Sequence, residues 1–264
     1  MHGFLVESAL LTHGLASISD EELRKAWHFA EQNIAWVEEG KIKIGGMQQF
    51  LPFRNRKNNL HRIDCCLLPT ALSQGLTGAL TASGTMAVCK GLGIKLAVTC
   101  GMGGIGDIEA EKLCPDLPAL AEIPVALLSS GPKDMLDIPA TLHWLAAHGI
   151  TVYCIDKPCY TGYIFKSINV PVQQAKLADI VPGQKQGLLL INPIADENKI
   201  ADLAMLQAGI AAGKQAEAAG KHYHPAANRE FDRLSKGYSS KMQLDALINN
   251  VEMAQKLVAD INQA

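Results

Sequence analysis

Paired cysteines, a basic surplus and long apolar runs are all missing from this 264-residue sequence. Its seven cysteines (65, 66, 89, 100, 114, 154 and 159) are odd in number and none is spaced C-x-x-C, so the usual zinc and dithiol signatures are absent and reduced thiols are expected. Cys65 and Cys66 are adjacent; a disulfide between neighbours strains the backbone, which favours core filling over redox work. Lysine and arginine number 24 against 26 aspartate and glutamate, a formal charge of −2, so nothing in the overall charge attracts nucleic acid or anionic membranes, and no strong local basic patch compensates. The apolar runs are strand-length and broken by glycine, proline or charge, and the first seven residues lack a basic stretch leading into a sustained apolar one. A cytoplasmic protein is expected, with neither membrane nor nucleic acid as partner. What is present is 48% hydrophobic residues, enough for a large core, and one domain over 1–264 is the simplest organisation.

Short runs rich in β-branched residues, at 4–6, 95–99, 124–129, 151–155 and 187–191, alternate with helix-length segments. That alternation predicts an α/β fold, a three-layer α/β/α sandwich around a mainly parallel sheet. Ser19-Asp20-Glu21-Glu22 reads as a capped, acidic helix start running to about residue 30. Residues 34–44, split at Glu39-Gly40, alternate as a hairpin. The Ala-rich stretch 195–220 and residues 244–261 carry helical spacing. Between them, 222–240, with Pro225, Gly237 and clustered polar residues, reads as the least regular segment, either a loop over a site or a long connection.

Four motifs invite a chemical reading. Gly101-Met102-Gly103-Gly104-Ile105-Gly106 satisfies G-x-G-x-x-G after a strand, but the next strand ends at Ser129-Ser130-Gly131 with no carboxylate for a ribose, so a tight turn is preferred over a dinucleotide site. Lys133, in Ser129-Ser130-Gly131-Pro132-Lys133-Asp134, falls at the carboxyl end of a strand, where α/β sites form; a lysine taken out of water there attacks carbonyls, and a solvated one is inert. Glu7 ends the first apolar run and is either a proton donor or a structural acid. Thr81-Ala82-Ser83-Gly84-Thr85 precedes an apolar helix, as an anion or sugar site or as simple capping. His222 and His224 have the chemistry of metal ligands, although histidines in an irregular segment are usually solvated.

Taken in order, these segments resemble the pseudouridine-5′-phosphate glycosidase family, which includes the indigoidine synthase A-like proteins, over nearly the whole chain. The family's E-S-T-x-x-x-H-G appears as Glu7-Ser8-Ala9-Leu10-Leu11-Thr12-His13-Gly14, its T-G-G-I-G-G as Thr99-Cys100-Gly101-Met102-Gly103-Gly104, and its G-A-K-S-I-L-D as Gly131-Pro132-Lys133-Asp134-Met135-Leu136-Asp137. Gly78 to Met86, Asn192-Pro193-Ile194 and Asn249-Asn250 match further signatures. The resemblance implies a homotrimeric enzyme of α/β/α subunits that reversibly cleaves the carbon–carbon bond between uracil and ribose 5-phosphate with a divalent metal such as Mn2+. It implies Lys133 as the nucleophile that forms an imine with opened ribose, Glu7 as the proton shuttle, and Arg62, Thr81, Ala82 and Asp116 at the substrate. The same chemistry also allows a C-glycoside synthase of natural-product biosynthesis, and an inactive relative that binds a small molecule is the alternative from another class.

The departures are as specific. K-V-S-R-R-D-L-P becomes Arg62-Ile63-Asp64-Cys65-Cys66-Leu67-Leu68-Pro69, which exchanges a substrate lysine for Arg62 and removes an arginine pair. Arg62 remains suited to phosphate. Gly106-Asp107 replaces a His-Arg, Gln243 an asparagine of the family site, and the metal-binding aspartate falls at Lys112, with Glu109 and Glu111 as unmatched neighbours.

Overall fold

The computed structural model describes residues 2–56, 59–180, 182 and 187–261. Its strands are β1 (Leu5–Val6), β2 (Ile34–Glu38), β3 (Lys41–Gly45), β4 (His61–Ile63), β5 (Gly78–Leu80), β6 (Leu96–Val98), β7 (Ala126–Ser129), β8 (Thr151–Ile155), β9 (Cys159–Tyr160), β10 (Val170–Pro171), β11 (Gln173–Ala175) and β12 (Leu188–Ile191). Helices are α1 (Asp20–Ala26), α2 (Met47–Arg54), α3 (Leu68–Ser73), α4 (Ala82–Leu92), α5 (Asp116–Glu122), α6 (Ile138–Ala147), α7 (Leu203–Ala218), α8 (Tyr223–Leu234) and α9 (Tyr238–Ile261). Ten strands form one sheet in the order β11-β8-β12-β7-β6-β1-β2-β5-β4, with β3 paired to β2. It is parallel from β11 through β2. The pairs of β2 with β3 and with β5 are antiparallel.

Successive residues of the central strands enter different cores, as the two-residue repeat of a strand requires. Val6, Val98, Leu128 and Leu190 pack on the face covered by α8 and α9, against Phe231, Leu247 and Val251. Leu5, Ala97, Leu127 and Leu189 pack on the other, against Met86 of α4, Leu117 of α5 and Leu145 of α6. Each fully buried side chain contributes roughly 1.5–3 kcal/mol, and burial on both faces is why these strands are apolar throughout. The predicted three-layer α/β sandwich is the observed architecture.

Local chemistry sets the ends of several elements. Ser19 caps α1 by accepting from the Glu22 amide at 3.2 Å while the Glu22 carboxylate accepts from the Ser19 amide at 2.8 Å. The helix stops at Ala26, short of the expected residue 30, and Asp202 delays the start of α7 to Leu203 by capping the Ala204 amide. The hairpin turns through Glu39 and Gly40, both at positive φ, the geometry that matches the twist of its strands.

The largest correction concerns 222–240, most of which is helical. Pro225 lies in the first turn of α8, where its missing N–H costs nothing, and Tyr223, Ala227 and Phe231 supply a buried stripe at helical spacing. Every cysteine is a free thiol. No helix among the described residues is long and apolar enough to cross a membrane.

Candidate active site

The sheet delivers Glu7 and Lys133 to one place. Glu7 follows β1, its amide donating to the Val98 carbonyl at 2.9 Å, and Lys133 follows β7, its amide donating to the Met102 carbonyl at 3.2 Å. β6 lies between those strands, and the turn it leads into, the Gly101 to Gly106 segment, is the floor separating the two residues. No α-helix opens on that glycine run; a single 3-10 turn at Glu109–Glu111 comes after it. Its glycines are there for crowding: a Cβ on Gly101 would lie 2.5 Å from the Tyr163 ring, one on Gly103 2.1 Å from Cys114 Sγ and one on Gly104 2.4 Å from Thr141 Oγ1. The dinucleotide reading is thereby set aside on structural grounds.

Lys133 is held by its surroundings. Gly131 turns at φ +108° directly under the Tyr160 ring, and the Tyr160 hydroxyl donates to the Pro132 carbonyl at 2.7 Å. Beside it, the buried Asp134 carboxylate accepts from the backbone amides of Tyr163, Ile164 and Phe165 at 2.8–3.0 Å and from the Ser167 hydroxyl at 2.5 Å. One acid thus fixes both the turn that carries Lys133 and the loop that carries Tyr163, whose hydroxyl meets Cys100 Sγ at 2.8 Å and Gln243 Oε1 at 3.4 Å. Gln243, the residue standing where the family places an asparagine, is buried in that contact.

Glu7 and Lys133 line a cavity of about 380 Å3 together with Arg62, Thr81, Ala82 and Asp116, so the structure brings all six predicted residues together. A larger groove of about 520 Å3 beside α9 contains neither Glu7 nor Lys133. Burial raises the Glu7 carboxyl from 4.5 to about 7, against the opposing charge of Lys133. Thr81 caps α4, accepting from the Gly84 amide at 3.4 Å, and Ala82 is the first residue of the helix. Asp116 is almost fully buried, its two oxygens accepting from the Ser83 amide and the Gly103 amide, each at 2.9 Å. It joins the start of α4 to the glycine turn and faces the cavity from that position.

Two wall residues came from features that the residue order left apart. Glu111 Oε2 and His224 Nε2 approach to 3.5 Å across the same cavity, and His224, expected to be solvated, is buried. The readable signal was the Tyr223, Ala227, Phe231 spacing, which places His224 beside a buried stripe. This pairing also answers whether a divalent ion fits. Lys112 occupies the expected ligand position, Glu111 is engaged by His224, and Asp116 is engaged by two amides. Among the described residues no three histidine, cysteine, aspartate or glutamate side chains are grouped to hold a metal. The side chains present do not match a divalent-ion site of the expected kind.

The sequence pattern of the family described as indigoidine synthase A like protein matches residues 5–260. A pseudouridine-5′-phosphate glycosidase of Petrotoga mobilis is 27% identical, over 97% of this chain and 91% of that protein. One from Mesorhizobium japonicum is 30% identical over 96% and 90%. Among solved structures, an indigoidine synthase A-like protein from Thermotoga maritima superposes with a TM-score of 0.77 at 18% identity, over 97% of this chain and 92% of the other. A prealnumycin C-glycosynthase in complex with ribulose 5-phosphate gives 0.77 at 22% identity, over 99% and 93%. With the pattern matched from the first strand to the last helix and the same fold in both solved structures, the chain is an enzyme of the indigoidine synthase A-like protein family.

Proposed function

We propose that this enzyme makes or breaks the bond between C1 of ribose 5-phosphate and a ring carbon, with Lys133 as an imine-forming nucleophile and Glu7 as its acid and base. The observation that carries the reading is the shared cavity: a lysine and a buried acid stand at the ends of two strands separated only by β6, beside Arg62 and the start of α4. The names of the relatives, pseudouridine-5′-phosphate glycosidases and a C-glycosynthase, support the bond type, and the ribulose 5-phosphate bound to the latter supports a sugar phosphate.

A carbon–carbon bond has no heteroatom to leave on, so its electrons need a sink. In the forming direction the Lys133 amine adds to the C1 aldehyde of open-chain ribose 5-phosphate and water departs, leaving a protonated imine. A nucleophilic ring carbon then donates its pair to C1, the imine π electrons collapse onto nitrogen, and the ring carbon sheds its proton. The ring's conjugated electrons expel the reprotonated Lys133 amine from C1, and the C4 hydroxyl adds there and gives up its proton as the sugar ring closes. Cleavage runs the same steps backwards: the sugar ring opens, the Lys133 amine adds to C1, the C–C pair returns to the ring carbon as it takes up a proton, and water hydrolyses the imine to aldehyde and amine. Glu7, with its carboxyl near 7, is populated in both protonation states at neutral pH and supplies or accepts the proton at the sugar oxygen and the ring carbon. Arg62 and the hydroxyls of Thr81 and Ser83 hold the phosphate. No step is assigned to a metal.

Borohydride reduction in the presence of ribose 5-phosphate tests this reading. A covalent adduct on the unsubstituted protein that is missing from Lys133→Ala is the expected result. No adduct, or an equal one on both proteins, overturns the imine and leaves a binding protein in its place.

A further inference from the structure

The walls of the cavity come from opposite layers of the sandwich. The start of α4 and the start of α5 belong to the layer whose core holds Ala82, Met86 and Leu117. α8 belongs to the other, whose core holds Tyr223, Ala227 and Phe231. Lys133 and Glu7 stand on the sheet edge between them. The first wall offers the hydroxyls of Thr81 and Ser83 and the Arg62 guanidinium, suited to an anionic sugar phosphate, while the Asp116 carboxylate beside them is taken up by the Ser83 and Gly103 amides. The group joined to C1 therefore faces the second wall.

Ile108, Leu113, Tyr223 and Pro225 line that second wall together with Glu217, Lys221 and His222, and the Glu111–His224 pair is set among them. His224 is fixed on both ring nitrogens: Nε2 faces Glu111 at 3.5 Å, and Nδ1 lies 3.3 Å from Met135 Sδ. Glu111 is partnered yet keeps 32% of its side-chain surface open, so its carboxylate retains an accepting edge toward the cavity. Lys133 and Arg62 are the other charged groups felt by the imidazole. Burial and those two cations keep His224 below the ordinary histidine value, although Glu111 opposes them. Burial also works against ionised Glu111, but the hydrogen bond and charge of His224, with lesser help from Cys114 and Lys133, hold its carboxyl at about 2. The two directions oppose one another, the lowered carboxyl calling for a charged imidazole and burial for a neutral one; in either state His224 Nε2 is the group that faces Glu111 Oε2.

We propose, resting on the C-glycoside reading above, that Glu111, oriented by His224, recognises the carbon partner, and that this partner is a flat ring bearing an acidic N–H or O–H conjugated to its nucleophilic carbon. A carbon able to add to an imine is enol- or enamine-like; where its conjugated heteroatom carries a hydrogen, the carboxylate edge accepts it while the apolar side chains of the wall meet the ring face. Glu111 contacts the ring; His224 is a positioning residue that acts through it. A ring without the donor covers the carboxylate edge and leaves it unmatched.

The test compares the unsubstituted enzyme, Glu111→Gln and His224→Gln in two assays. One is borohydride trapping with ribose 5-phosphate alone; the other is coupling of ribose 5-phosphate to uracil, resorcinol or 1,3-dimethyluracil. The expected result is equal trapping in all three proteins, with coupling of uracil or resorcinol reduced roughly 10- to 100-fold in Glu111→Gln and less in His224→Gln, the worth of one hydrogen bond to a charged group. The preference over 1,3-dimethyluracil collapses in Glu111→Gln, through KM for the ring, a change that a general loss of structure does not produce. Equal losses in trapping and coupling, an unchanged preference, or no coupling of either donor-bearing ring overturn the proposal and leave the imine standing. Absence of an adduct on the unsubstituted enzyme overturns the imine itself, and this inference with it.

Discussion

The floor of the cavity and its α8 wall are built in different ways. Glu7 and Lys133 are fixed by main-chain bonds to the sheet and by the buried Asp134 carboxylate, so their placement follows from the fold. The wall opposite α4 depends on a side-chain pair between residues far apart in sequence, Glu111 and His224. Sheet-anchored groups resist change because moving them disturbs the core, whereas a side-chain pair is altered by one substitution. This division explains how a chain keeps Lys133 and Glu7, the nucleophile and acid proposed above, while the groups around the cavity diverge.

The floor is most sharply tested by Lys133→Ala, for which turnover is expected to fall by ~10^3-fold or more while the thermal midpoint is held. A comparable rate without Lys133 would break the comparison at its base. Glu7→Gln is expected to lower turnover by roughly 10^2- to 10^4-fold and to remove the fall in rate expected of the unsubstituted enzyme as pH rises through about 7. Its stability should change in the opposite direction. The carboxyl titrates near 7 when folded and near 4.5 when unfolded, so burial adds no penalty below pH 4.5 and its full penalty above 7. Denaturant titration is expected to find Glu7→Gln equal to the parent at pH 4 and more stable by about 3 kcal/mol at pH 8.

Asp134→Asn probes the support beneath Lys133. It keeps one accepting oxygen and turns an NH2 toward the remaining donors, a loss of about 2 kcal/mol in unfolding free energy, accompanied by slower adduct formation as the Tyr163 loop loosens. Ser19→Ala, far from the cavity, gives the smallest effect: about 1 kcal/mol from the lost cap of α1, with trapping and turnover unchanged.

The parts of the site that lie at strand ends were legible because strand identity and position are encoded locally. The apolar runs ending at Val6 and Ser129 point to Glu7 and to the turn before Lys133 without reference to the rest of the chain. Asp134 was not legible as a support: its four donors come from residues 163–167, and nothing in the order of residues links the two segments. Nor was the Glu111–His224 contact, which spans the layers, and Pro225 disguised the helix start that delivers His224. The two backbone amides that hold Asp116 in place at the cavity were likewise not legible, because Ser83 and Gly103 meet it only in the packed structure.

The central claim, that a lysine at the end of β7 carries the chemistry, is most directly tested by mapping the borohydride-reduced ribose 5-phosphate adduct by peptide mass spectrometry. The account predicts a single modified peptide with the sugar phosphate on Lys133. Modification of a different lysine, or a scatter over surface lysines that persists in Lys133→Ala, would contradict it.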